Sequence, residues 1–158
     1  MRRLLTVVVV GAAILATTGV AQATVIFTLG NNPQQPGEEN IQFQSAQTGT
    51  TITGVTNQSS TAVQFTSTGS LTVQGQGQAS LGATGGGAIT NPVTFSVAGH
   101  TFLDYIFNPQ NGAGTATVTV LANDGMFTDS LALGNGSNFL TITTTNNETL
   151  SAVTISAP

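Results

Sequence analysis

Beyond Arg3 the chain contains no lysine and no arginine, and it contains no cysteine and no tryptophan anywhere. Each absence excludes something. Without cations nothing can neutralise phosphates, so nucleic acid and anionic lipid surfaces are not expected partners. Without cysteine there is no disulfide staple, although an exported chain could carry one. With no tryptophan and one tyrosine, a sugar site built on stacked rings has few candidates. Good helix formers are scarce after the first 23 residues, and no later stretch approaches the ~20 apolar residues of a membrane span.

What is present begins with Arg2 and Arg3, followed by the apolar run from Leu4 to Ala16. That run leads to Val20, Ala21, Gln22 and Ala23, with small residues at the two positions a signal peptidase reads. A charged start, an apolar middle and an A-x-A end form a secretory signal over residues 1–23, expected to be helical. Its removal would leave a single domain of about 135 residues from Thr24 to Pro158. The side-chain charge of that domain is six carboxylates against no cation: Glu38, Glu39, Asp104, Asp124, Asp129 and Glu148. The expected location is extracellular, the cell surface included, with no stable membrane span once the signal is gone.

Threonine favours strands, while glycine and asparagine favour turns. Strands are expected at Val25 to Leu29, Ile41 to Gln44, Thr50 to Thr56, Ala62 to Ser67 and Ser70 to Gln74. A loop rich in proline covers residues 33–40. In the second half, Pro92 to Ala98 places Val93, Phe95 and Val97 on one face. Thr101 to Phe107 places Leu103, Tyr105 and Phe107 together, with Phe102, Asp104 and Ile106 opposite. Thr115 to Ala122 turns Val118 and Val120 inward and Thr117 and Thr119 outward. Asp124-Gly125 reads as a hairpin turn with two central residues at positive φ, leading to a return strand over Met126 to Leu133. Phe139 to Thr145 and Thr149 to Ser156 read as another hairpin across Asn146-Asn147, with Leu140 and Ile142 facing the core alongside Val153 and Ile155. Nine to eleven short strands joined by turns imply an all-β, antiparallel, jelly-roll-like β-sandwich.

The candidate chemistry is sparse. His100, Ser96 and Asp104 lie near one another in sequence, but strand geometry keeps same-face residues four apart roughly 13 Å from each other. No nucleophile elbow is present, so no catalytic residue is assigned. Phe102 and Asp104 are the ligand-binding candidates: a ring that could stack on a sugar beside a carboxylate. The alternative reading of Phe102 is burial between the sheets. Asp124, Asp129 and Glu148, with Glu38 and Glu39, are the calcium candidates, since calcium takes six to eight oxygens. No Asp-x-Asp-x-Asp-Gly loop supports them, and solvated surface acids are the ordinary reading, so no metal is assigned. Thr115, Thr117 and Thr119, and again Thr141, Thr143 and Thr145, align hydroxyls at strand spacing. Such arrays occur on ice-binding surfaces, and ordinary solvent-facing strand threonines also explain them.

Four segments, Ile26–Pro33, Glu38–Ile41, Gly134–Ile142 and Leu150–Ile155, resemble exported bacterial proteins of the PEP-CTERM type. The resemblance implies a signal peptide, a Thr/Gly/Asn-rich β-domain and a C-terminal sorting tail handled by an exosortase. It also implies an association with exopolysaccharide and biofilm. The chain stops at Ala157-Pro158 without a Pro-Glu-Pro motif, an apolar span or a basic end. The expectation is therefore a truncated frame or a freely released member. Truncation would leave an exposed edge strand open to self-association. Together these readings predict a secreted, non-catalytic structural or adhesive protein of the cell surface or exopolysaccharide matrix, with extracellular polysaccharide as partner and no cofactor. The alternative is a carbohydrate-binding module with a defined glycan cleft.

Overall fold

A computed structural model describes residues 24–30, 35–75 and 77–157; the expected signal helix lies outside them. These residues form twelve strands and no helix: β1 (Thr24–Leu29), β2 (Ile41–Phe43), β3 (Thr48–Thr56), β4 (Ala62–Gly75), β5 (Gly77–Gln78), β6 (Ser80–Ala83), β7 (Val93–Val97), β8 (Asp104–Phe107), β9 (Gly114–Ala122), β10 (Gly125–Leu133), β11 (Leu140–Thr145) and β12 (Leu150–Ser156). Every strand pair is antiparallel. The small sheet has the order β1-β11-β8; the large sheet runs β10-β9-β12-β7-β4-β3-β2-β5, with β6 also on β4. The two sheets face each other as a β-sandwich.

Alternation in the sequence becomes burial. Val118, Val120 and Val153 of the large sheet meet Val25, Leu140 and Ile142 of the small sheet in one aliphatic core. A second core is aromatic, with Phe43, Phe65 and Phe95 joined to Phe102 and Tyr105. Phe95 is the seam: its ring stacks on Tyr105 at 4.2 Å and lies 5.3 Å from Phe65. Around this second core the large sheet curls. β4 pairs with β3, β3 with β2, β2 with β5, and β6 returns to β4, so the edge closes on itself.

Four local expectations change. Residues 62–67 and 70–74 are one bent strand, β4, because four residues of β4 (67–70) oppose the single Thr50 of β3 between the Thr51/Thr66 and Gly49/Leu71 pairs. Gly125 pairs with Ala122, so the β9–β10 turn is centred on Asn123-Asp124, and of the turn residues only Gly125 takes a positive φ. Asn146 and Asn147 take the two positive φ values, 55° and 65°. Their turn crosses between the sheets: β11 pairs with β1 and β8, whereas β12 pairs with β7 and β9. Leu140 and Ile142 thus meet Val153 and Ile155 face to face across the sandwich instead of side by side. Finally, a bend at Leu103 breaks the alternation of 101–107. Phe102 joins the core with Tyr105 and Phe107, while Leu103 is 59 % exposed.

Candidate functional site: a threonine row across the large sheet

The outer face of the large sheet carries a feature that linear spacing does not reveal. Thr128 of β10 stands opposite Thr119 of β9, and Thr119 opposite Thr154 of β12. Thr154 is opposite Thr94 of β7, Thr94 opposite Thr66 of β4, and Thr66 opposite Thr51 of β3. Six threonines on six adjacent strands therefore form one row at right angles to the strands. At the usual strand separation the row is about 24 Å long with a hydroxyl and a methyl roughly every 4.8 Å. Buried strand neighbours point the other way: Ile52, Phe65, Phe95, Val118, Val120 and Val153. Core packing on the inner face thus fixes the register of the outer face.

The row is tied together by its own hydroxyls. Thr94 and Thr154 are hydrogen-bonded at 2.8 Å, and Thr119 and Thr128 lie at 3.5 Å. Each hydroxyl is both donor and acceptor, so a bonded pair still offers a free lone pair or proton outward. Two residues along on one side, Ser96 and Gln64 oppose each other. On the other side, Ser130, Thr117 and Ser156 continue the polar surface. None of these positions carries a charge. Met126, Leu121 and Ala152 form an apolar end to the face, with Met126 72 % exposed.

Around the curl the same chemistry continues as a chain of hydroxyls. Thr48 meets Thr72 at 3.3 Å, Thr72 meets Thr84 at 2.9 Å, and Thr84 donates to Ser70 at 2.9 Å. This chain borders an open cleft of about 230 Å³ lined by Ser67, Ser70, Thr84, Thr90 and Asn91 among others. Asn91 lies over Gly69 and accepts the Thr68 hydroxyl at 3.1 Å; a Cβ at Gly69 would collide with its amide. The cleft has no aromatic wall.

The residues singled out from sequence fare differently. Phe102 is no exposed platform: it bridges to Leu150 and its ring meets Phe95 edge-on at 5.2 Å. Asp104 lies on the outer face of the small sheet, with its pKa raised by partial burial and by the Glu38 charge beside it. Ser96 is on the large sheet and His100 in the exposed turn after β7, so His100, Ser96 and Asp104 do not form a constellation. Of the calcium candidates, Asp124 and Glu148 meet, the Asp124 N–H donating to Glu148 Oε1 at 3.0 Å. Asp129 does not join them. The hairpin register carries it five residues out along β10 to pair with Val118, where its Oδ1 accepts the Ser130 N–H. Glu39 is an exposed structural clamp: Oε2 accepts the Ser59 N–H at 2.8 Å and the Gln58 N–H at 3.0 Å. The Ser59 N–H, with further hydrogen bonds, holds its carboxyl down at about 2. Among the described residues no group of three or more acids or histidines is arranged to hold a metal ion. The described residues contain no helix long and apolar enough to cross a membrane.

Of the two tracts of spaced threonines, Thr115, Thr117 and Thr119 lie on the outer face as expected. The other tract is not an open array, because Thr141 is buried and its hydroxyl donates to the Gly30 carbonyl at 2.9 Å. The chain matches no family model, no curated protein and no solved structure.

Proposed function

We propose that the protein is secreted and non-catalytic, and that it serves the cell surface or exopolysaccharide matrix by laying its threonine row against neutral polysaccharide. The observation that carries this reading is the row itself. It is an uncharged line of hydroxyls and methyls whose step is comparable to the advance per ring of an extended glycan. Hydroxyls match sugar hydroxyls as donors and acceptors, and the methyls cover the apolar faces of the rings. The shallow, ring-free surface suits many weak contacts more than one tight site, and multivalent matrix adhesion works through such contacts. The secretory signal read from residues 1–23 and the resemblance to PEP-CTERM proteins support the same setting. The six carboxylates disfavour polyanionic glycans. Asn91 in its cleft supports the second reading, a carbohydrate-binding module, since its Nδ2 hydrogens are left to donate.

Co-sedimentation with an insoluble neutral β-glucan tests the proposal. The protein should pellet with the glucan, independently of salt, and should not associate with a uronic-acid polymer. Replacing Thr94 and Thr154 together by tyrosine should abolish pelleting. If binding persists in that variant and is lost on Gly69→Ala, the cleft is the site and the binding-module reading replaces this one. Failure of the unaltered protein to bind would reject both.

A further inference from the structure

One of the six carboxylates is completely buried. Glu148 is 0 % exposed; its Oε1 accepts the Asp124 N–H, and its Oε2 has no hydrogen-bond partner. Folded proteins hold a buried carboxylate by pairing it and satisfying its lone pairs. No lysine or arginine follows Arg3, and His100 lies in the exposed turn after β7. From Thr24 onward, the remaining source of positive charge in the chain is a main-chain amine.

The fold puts one such nitrogen beside Glu148. In the β1–β11 ladder the Gly30 N–H donates to the Phe139 carbonyl at 2.8 Å. Antiparallel pairs repeat their bonding every second residue. Stepping by two along the register brings Thr24 opposite Thr145 with the same geometry, so the Thr24 nitrogen faces the Thr145 carbonyl. That same carbonyl accepts the Glu148 N–H at 3.1 Å. The two nitrogens share one acceptor and therefore lie within about 6 Å of each other. Val25 next door packs in the same core cluster as Ala122 and Leu150, which flank the Glu148–Asp124 contact.

We propose that Glu148 is the receptor for the α-ammonium created at Thr24 when residues 1–23 are removed, and that this ion pair locks the fold only after export. The proposal rests on the secretion reading above. A signal peptidase hydrolyses the Ala23–Thr24 peptide bond with one water, leaving a carboxylate on Ala23 and an amine on Thr24, which takes a proton to become the ammonium. Before cleavage the Thr24 nitrogen is an amide with one hydrogen, already committed to the ladder, and carries no charge. After cleavage it has a charge and three donors: one keeps the Thr145 carbonyl and the others serve Glu148 Oε2. The precursor thus buries an uncompensated acid and is the less stable fold, which suits a chain that crosses a membrane unfolded.

The absence of lysine makes the test clean, because within residues 24–158 the α-amine is the only primary amine. Mature protein is collected from the culture medium and its first residue read by mass spectrometry. It is then treated with an amine-acetylating reagent, native and denatured. The expected result is a Thr24 start, acetylation at least tenfold slower in the native state, and a lower urea midpoint after the acetylated chain is refolded. In Glu148→Gln, acetylation should be equally fast in both states and should no longer move the midpoint. A first residue other than Thr24 overturns the processing reading and the pair with it. A Thr24 start with equal native and denatured rates overturns the pair alone. So does an acetylation effect that survives Glu148→Gln, or a chelator that lowers the midpoint as acetylation does, which would assign the countercharge to a bound cation. If Glu148→Gln fails to fold, the native-to-denatured rate ratio in the unaltered protein still decides.

Discussion

The outer faces of the two sheets are made of the same material and end differently. On the large sheet, Thr51, Thr66, Thr94, Thr119, Thr128 and Thr154 align across six strands and face outward. On the small sheet, Thr141 and Thr143 also point outward from β11, yet Thr141 is buried beneath the Gly30 carbonyl and Asp104 sits half-buried beside Glu38. The Gly30 carbonyl and the Glu38 charge lie against the outer face of the small sheet, whereas the row threonines of the large sheet are half-buried or exposed. Threonine spacing along a strand therefore does not define an open surface. Strand pairing creates the row, and the groups that lie against the face decide whether it stays exposed.

The contrast should break most sharply under threonine-to-valine exchange. Thr141→Val removes the hydroxyl of a buried residue from its part-buried bond to the Gly30 carbonyl and should cost up to about 1.5 kcal/mol. Thr119→Val removes an outward hydroxyl and should stay within about 0.5 kcal/mol. Urea denaturation of both variants checks the difference; equal costs would mean that the two faces are equally covered. Next in size is binding. Thr94→Val with Thr154→Val keeps the shape but removes the hydrogen-bonded hydroxyl pair, and should weaken glucan binding about tenfold, roughly 1.4 kcal/mol. Thr143→Val, on the other sheet, should leave binding unchanged in the same assay.

Titration sharpens the comparison further, because two acids, Asp104 beside Glu38 and Glu39 beside Ser59, respond in opposite directions. Asp104 has its folded pKa raised above 3.8 by burial and by Glu38. It therefore takes up protons more readily folded than unfolded, and its contribution to stability is lost as pH rises through its folded value. Asp104→Asn should stabilise the protein at neutral pH and flatten that dependence. Glu39 is held at about 2 against an ordinary 4.5, so its contribution is present above pH 4.5 and lost as pH falls toward 2. Glu39→Gln should remove that acid-side loss. Hydrogen exchange at Gln58 and Ser59, whose N–H groups the carboxylate holds, should become faster at neutral pH.

Much of this architecture was legible in the residues. Val118 and Val120 alternate with threonines and mark the inner face of β9 without ambiguity, and Phe95 sits inward between Thr94 and Ser96 as its alternation predicts. What could not be read was pairing. Asn146 and Asn147 carry the signature of a tight turn but not the information that it crosses between sheets, since local chemistry fixes φ and says nothing of partners. Phe102 has the alternation of an outward residue, and only the bend at Leu103 turns it inward, where Phe95 and Leu150 receive it. The threonine row escapes linear reading for the same reason. Its adjacent members are separated by 9 to 60 residues in sequence and become neighbours only through register. Glu148 looked like any surface acid because burial at the junction of two turns leaves no local mark.

The edges of the large sheet also bear on self-association. β10 lies at one end of the strand order and carries Asp129 on its core-facing side, at the rim. An inward charge on an edge strand discourages the addition of another chain. Asp129→Val should therefore promote concentration-dependent oligomers by sedimentation velocity, a smaller effect than those above and one that leaves the row intact.

The most direct test of the account is an NMR titration of the threonine methyl groups with a soluble neutral β-glucan. The account predicts shifts at Thr51, Thr66, Thr94, Thr119, Thr128 and Thr154, and none at Thr141 and Thr143. Shifts confined to Thr84 and Thr90 beside the cleft, or no shift anywhere at saturating glucan, would contradict it.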